Sequence, residues 1–410
     1  MLLFQNCRLL DPEVGELREG ASVLTEGERI REVSERPIRA QSARTIDLGG
    51  RVLMPGLIDA HIHVYLSEVN IGRLAEMPMS LMAARSGPLM RAMLDRGFTT
   101  VRDTGGADWG IREAVETGQM VGPRLFIAGA AISQTGGHGD FRLRTESEHA
   151  CQCCSGVAQI SRIVDGVPQM LHAVRDELRK GADHIKIMVS GGVASPRDPL
   201  EATQFTREEI MAAVGEATAW GTYVASHAYG ADAIRRAVEC GVRTIEHGNF
   251  VDASTAKLMR ERGAFIVPTL VAYDAMKRRG RDYGLPQVSL EKNERVLAAG
   301  LRSLEICREA GVPIAFGSDL LGQLQDDQSR EFLIRGEAMK PLEVIRSATI
   351  VNASLLRREG ELGTIRPGAY ADLLAVEGNP LEDLGLFQKQ GAHLPLIVKG
   401  GKLHKNELSR

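Results

Sequence analysis

From about residue 56 to about residue 355 the chain repeats one pattern, an apolar run followed by a longer amphipathic stretch. The runs are "LIDAHIHV", "FTTVRD", "LFIAGAAI", "HIKIMV", "TYVASHA", "RTIEHG", "FIVPTL" and "PIAFGSD", eight in all. Stretches between them, such as "EEIMAAVGEATAWG" and "GADAIRRAVECG", read as helices that stop at glycine. Apolar strands alternating with helices form parallel sheet, because each crossover helix covers a face. Eight repeats predict an α/β chain closed as a (β/α)8 TIM barrel. A doubly wound open sheet shares this periodicity and stands as the alternative.

The two ends read differently. Residues 1–55 and 356–410 alternate apolar and polar side chains between Glu-Gly and Gly-Gly turns, as in "GASVLTEGERIREVS" and "PLIVKGGKLHKN". They are expected to pair as one small β-sandwich made from both termini, leaving 56–355 as the barrel. A net charge of -3 and 4% aromatic residues give no footprint for nucleic acid. No run approaches a membrane span, and "MLLFQNCRLLDPE" is too soon charged for a signal peptide, so a cytoplasmic location is expected. This composition is compatible with a homo-oligomer. Six cysteines in 410 residues make no disulfide framework. Cys151, Cys153 and Cys154 sit in a polar stretch without a second pair nearby, which reads as a loop with free thiols.

Function gathers at the C-terminal ends of barrel strands. The first run carries His61 and His63, whose i, i+2 spacing puts both imidazoles on one face of a strand. The fourth buries Lys186 between isoleucines, the fifth presents His227, the sixth His247 and the eighth Asp319. Only ten histidines exist in the chain, and four fall at these positions. Singly, each has a plain structural role: a hydrogen-bonded core histidine, or an aspartate capping the next helix. Together they point to a metal site. Lys186 is the most telling, since burial favours its neutral amine. Such an amine can form a Schiff base, or react with CO2 to give a carbamate whose two anionic oxygens can bridge two ions.

These motifs resemble the amidohydrolase superfamily: "PGLIDAHIHV", the strand lysine, the two later histidines, "GSD", "PGAYADLLAVEGNP" and the closing "VKGGKL". Within it, "TTVRDTGG", "SQTGGHGD", "IKIMVSGGVASP", "SHAYG", "TIEHGN" and "VPTLVAYDA" resemble the bacterial Xaa-Pro dipeptidase branch. The resemblance implies that His61 and His63 hold one metal ion together with Asp319. It implies that His227 and His247 hold a second, with carbamylated Lys186 and a hydroxide between the two. Zinc suits such ligands first. Asp319 would then act as the proton carrier. The net positive centre would favour a substrate with a carboxylate, such as a dipeptide.

Tyr229, two positions after His227, is placed to bind that carboxylate, and His138 in "TGGHGD" to bond the carbonyl oxygen as charge develops. Their plain readings are a packing tyrosine and a turn histidine. "TGGHGD" and "SGGVASP" match no phosphate-binding fingerprint and read as tight loops. An Xaa-Pro bond has no N–H, so an apolar pocket walled by Val271, Ala272 and Tyr273 suits the proline ring. Close relatives of that branch are carboxypeptidases for N-acyl amino acids or other dipeptides. A non-catalytic metal-binding protein and an aldolase-type Schiff-base enzyme are the readings from other classes.

Overall fold

The structure is a computed structural model that describes residues 1–145 and 159–408. Cys151, Cys153 and Cys154 lie outside the described residues. Strands in chain order are β1 (Leu2–Asp11), β2 (Glu16–Glu26), β3 (Arg29–Ser34), β4 (Arg44–Asp47), β5 (Val52–Pro55), β6 (Leu57–Ile62), β7 (Phe98–Asp103) and β8 (Arg124–Ile127). There follow β9 (Ala131–Ser133), β10 (Ser161–Ile163), β11 (Ile185–Met188), β12 (Val224–Gly230), β13 (Thr244–Phe250) and β14 (Phe265–Val267). The last are β15 (Leu373–Val376), β16 (Leu396–Lys399) and β17 (Lys402–Asn406). The chain divides into two compact units, one of residues 1–59, 90–101 and 329–410, the other of 60–89 and 102–328.

In the first unit the two ends of the chain join in one eight-stranded sheet, ordered β17-β16-β15-β5-β1-β2-β3 with β4 beside β1. The junction is the antiparallel pair β5 and β15, with Pro55 opposite Leu373 and Val52 opposite Val376. Alternation puts Phe4, Leu9, Val23, Leu53, Leu373 and Leu396 into a single buried cluster. That pairing of the termini is what their matching patterns predict.

The second unit carries the strand–helix repeat. β11, β12, β13 and β14 pair in parallel, and β11 also pairs with β9. The third run splits into β8 and β9 at Gly129, whose φ is 69°. Thr104 donates to Ile62 O and Ala128 to Asp103 O, linking the ends of β6, β7 and β8. The eighth run joins through the parallel bridge Ile266–Ile314, and Ala60 N donates to Phe316 O. The strands form two sheets, one of six ordered β10-β9-β11-β12-β13-β14 and one of three ordered β6-β7-β8. The short strand β10, parallel to β9, has no counterpart among the expected runs.

Glycine sets the length of each repeat. After the helix Arg207–Ala219, Gly221 N bonds Thr218 O and Thr222 N bonds Ala217 O, the two bonds of a Schellman close. Gly241 and Val242 repeat this after Ala231–Glu239, and the next strand begins two residues later. A left-handed residue ends the helix and aims the chain into the sheet.

Gly400 and Gly401 turn β16 into β17, both with positive φ as a two-residue hairpin requires. A Cβ on Gly401 would lie 1.9 Å from Gly27 O in the β2–β3 turn, whereas one on Gly400 meets nothing closer than 3.7 Å. Gly401→Ala should therefore lower the thermal midpoint by several degrees. Gly400→Ala should cost only the left-handed strain, roughly 1 kcal/mol. Equal shifts in a melting experiment would show that the hairpins do not meet as closely as this.

Candidate metal centre

Four imidazoles, an amine and a carboxylate converge on one cavity in the second unit, lined by His61, His63, Lys186, His227, His247 and Asp319. Four lie within strands of the parallel ladder: His61 next to last in β6, Lys186 second in β11, and His227 and His247 midway along β12 and β13. His63 falls one residue beyond β6, and Asp319 follows the eighth run. Asp319 Oδ1 is 3.4 Å from His61 Nε2 and 3.2 Å from His63 Nε2. His61, His247 and Asp319 offer ligand atoms that lie within 4.8 Å of one another.

Hydrogen bonds fix which ring nitrogen each histidine presents. A nitrogen held by an outer carboxylate or carbonyl oxygen carries a proton, which leaves the ring's other nitrogen to face the cavity. His61 Nδ1 lies 2.7 Å from Glu246 Oε2, His63 Nδ1 2.8 Å from Gly105 O, and His227 Nε2 3.0 Å from Gly191 O. His61 and His63 thus turn Nε2 towards Asp319, while His227 keeps its lone pair on Nδ1. His247 Nδ1 lies 2.8 Å from Thr269 Oγ1. Outer oxygens that orient imidazoles in this way are the usual support of a metal site, and the donor set fits divalent ions of the zinc type.

Burial tunes the group further. It pushes His227 and His247 well below the usual imidazole range, with neighbouring His and Lys charges adding to the effect, so both are neutral ligands. Burial opposes the protonated form of His63, but the hydrogen bond and charge of Asp319 outweigh it and raise the group. A bound cation would displace that proton. Burial alone would raise Asp319; His61 and His63 beside it hold it well below the ordinary carboxylate range. For Lys186 burial dominates, and despite Glu246 and Asp319 the ammonium falls to about 8. The nucleophilic amine is therefore within reach of neutral pH.

Beneath the cluster lies a charged layer absent from the sequence reading. Arg102 and Glu246 are fully buried and paired at 2.8 Å, and Glu246 uses its other oxygen on His61. Arg102 also donates to Ala60 O and Thr244 Oγ1, and Thr244 donates to Glu246. The signal was present in "TTVRD" and "TIEH", where a charge stands inside an apolar run. Asp103 is a further member, accepting from the backbone N–H groups of Val64, Gly105 and Ala107.

His138 stacks on His227 with ring centroids 4.2 Å apart. Its Nδ1 lies 2.8 Å from Ser195 Oγ and 3.4 Å from Asp198 Oδ2, which leaves Nε2 for the cavity. Tyr229 also lines the cavity and heads a hydrogen-bonded chain: Tyr229 OH to Tyr273 OH at 3.0 Å, Tyr273 OH to Thr269 Oγ1 at 3.4 Å, and Thr269 to His247. Tyr273 faces the cavity as expected, but Val271 and Ala272 do not. In the helix Leu270–Arg279 the next residue on that face is Met276, one turn on. The outer wall is apolar, with Leu66, Ile71, Phe141 and Ile160.

Comparison with known proteins agrees with this geometry. A model of the amidohydrolase family matches residues 52–403. The ochratoxinase of Aspergillus niger is 34% identical over 97% of this chain and 85% of its own. A prolidase crystallised with N-methylphosphonate-L-proline is 52% identical with a TM-score of 0.97, covering 99% of both chains. An Xaa-Pro dipeptidase crystallised with methionine in its active site is 31% identical with a TM-score of 0.87, covering 99% of this chain and 100% of that one.

Glu246→Gln would leave Arg102 buried without a counter-charge and weaken the hold on His61. The expected result is a 10–100-fold loss of metal affinity in a chelator competition and a loss of stability of about 3–5 kcal/mol. Unchanged affinity would mean that the ion pair does not support the ligands.

Proposed function

Because the chain belongs to the amidohydrolase family, we propose that it is a binuclear metal-dependent hydrolase of small carboxylate-bearing amides, foremost Xaa-Pro dipeptides. The fold proposed with it is a closed (β/α)8 barrel and a β-sandwich built from both termini, in a cytoplasmic protein. Among the described residues no helix is long and apolar enough to cross a membrane. The observation that carries the function is the convergence of His61, His63, Lys186, His227, His247 and Asp319 on one cavity with their ligand atoms pre-oriented.

His61, His63 and Asp319 would hold one ion and His227 and His247 the other, with carbamylated Lys186 as a further anionic ligand. Two such ions supply a water of lowered pKa and a Lewis acid for the amide carbonyl. Asp319 takes the proton of the attacking water and passes it to the leaving nitrogen. His138, its Nδ1–H held by Ser195 and Asp198, would in its doubly protonated form donate Nε2–H to the developing oxyanion. Tyr229 donates its hydroxyl to the substrate carboxylate. Tyr273 and Met276 wall the space for a proline ring, whose nitrogen asks for no acceptor.

A structural metal site is closed by its ligands, whereas this cluster lines a cavity, which favours catalysis. A second reading, hydrolysis of N-acyl amino acids, is favoured by the apolar outer wall, which suits an uncharged acyl group. An aldolase-type Schiff base on Lys186 would be trapped by borohydride with a carbonyl substrate, and none is expected.

Active protein should contain two divalent ions per chain. Chelation should abolish hydrolysis, and Lys186→Ala should lose metal and nearly all activity. Bicarbonate should speed reconstitution of the metal-free wild type. Active protein without divalent metal would refute this reading.

For the substrate, kcat/KM is compared for Leu-Pro, Leu-Ala, N-acetyl-proline and Leu-Pro-amide. Leu-Pro should lead by at least ~10-fold, the scale of one modest pocket difference, and the amide should be rejected. Leu-Ala equal to Leu-Pro would remove the proline preference and leave the hydrolase.

A further inference from the structure

The helix Gln287–Ala310 reaches the site from its outer side. Asn293 donates to Tyr273 O at 2.9 Å, and Asn249, in the segment that carries His247, donates to Val296 O at 3.2 Å. The neighbouring Lys292 does more. Its Nζ donates to three main-chain oxygens, Gly192 O at 3.0 Å, Ser195 O at 2.8 Å and Asp198 O at 2.5 Å. An ammonium has three donors and no acceptor, so each N–H is matched to one carbonyl.

Those carbonyls belong to the loop that holds His138. Gly192 N donates to Asp198 Oδ2 at 2.7 Å, Ser195 Oγ bonds the Asp198 carboxylate, and Ser195 Oγ lies 2.8 Å from His138 Nδ1. The His138 ring lies so close to Gly192 that a Cβ there would come within 2.2 Å of it. Val193 and Ala194, between these residues, line the cavity. Three carbonyl dipoles aimed at one point repel one another unless a cation sits there. The loop's shape therefore depends on a charge contributed by a helix that Lys292 does not leave to enter the cavity.

We propose that Lys292 is a positioning residue, whose ammonium pins the loop 192–198 so that Ser195 and Asp198 hold His138 in its working orientation. The proposal rests on the amide-hydrolase reading for its effect on rate, but not for its effect on the loop. Loss of a single well-placed donor to a developing oxyanion costs about 100–1,000-fold, and a donor left loosely held should lose part of that.

The test measures full-length Lys292→Met, with Lys292→Gln as a second neutral variant, by hydrolysis of Leu-Pro and by hydrogen–deuterium exchange. Expected is a fall of at least ~10-fold in kcat, KM changing less, with partial recovery in Lys292→Arg, which restores the charge but not three converging N–H groups. In a His138→Ala background the same substitution should cost under ~3-fold more. Backbone exchange should quicken in residues 190–204 and stay unchanged in the helix Ala231–Glu239. Wild-type kcat, a full multiplicative loss without His138, or unaltered exchange in 190–204 would each overturn the proposal. If the wild type cleaves no amide while exchange responds as expected, the hydrolase reading fails and the loop assignment survives.

Discussion

The site depends on a buried ion pair that touches no substrate. Arg102 and Glu246 face each other in a region without solvent, and Glu246 extends the pair to His61. Such a pair contributes little net stability, because desolvation consumes most of the attraction. What it supplies is direction. Its guanidinium is anchored to Ala60 O and Thr244 Oγ1, so the carboxylate has one place to lie and His61 one tautomer to adopt. A ligand cluster on apolar strands needs this, since Val, Ile and Ala neighbours give a histidine nothing to bond with.

The ligand-bearing backbone is also held away from its relaxed shape. His247, Thr269 and Asp319 all adopt positive φ, at 74°, 50° and 50°. None is glycine, and each such residue costs of order ~1–3 kcal/mol. His247 lies midway along β13, Thr269 caps the helix Leu270–Arg279 two residues past β14, and Asp319 ends the eighth run. The surrounding ladder, with β13 paired on both sides, outweighs the strain. Residues bent in this way are held in one orientation before anything binds.

Much of this was legible in the sequence, for a physical reason. A polar side chain in an apolar strand is costly, so His61, Lys186, His227 and His247 stand out against their runs. Arg102 and Glu246 stand out by the same rule, and passed as strand residues because their partner lies on another strand. Ser195, Asp198 and Lys292 could not be read. Their bonds join a loop to His138 at a separation of 57 residues and to a helix at separations of 94 to 100. No local spacing encodes such distances. Two of the three expected pocket walls failed on periodicity: Val271 and Ala272 are adjacent to Tyr273 in sequence, but a helix turns them away and brings Met276 round instead.

The two halves of the cavity are built by different means, and this bears on how its chemistry can change. The cluster of histidines with Lys186 sits mainly within strands fixed by sheet pairing and by the Arg102 layer. The wall that would contact a substrate comes mainly from segments between strands: Leu66 and Ile71 after β6, Phe141 after β9, Val193 after β11 and Met276 after β14. Those segments are tied by isolated bonds such as the three from Lys292, not by a ladder. Altering a wall residue therefore disturbs few of the interactions that orient the ligands. On the proposed function, the half held by sheet pairing would set the hydrolysis, and the half built from the segments between strands the choice of amide.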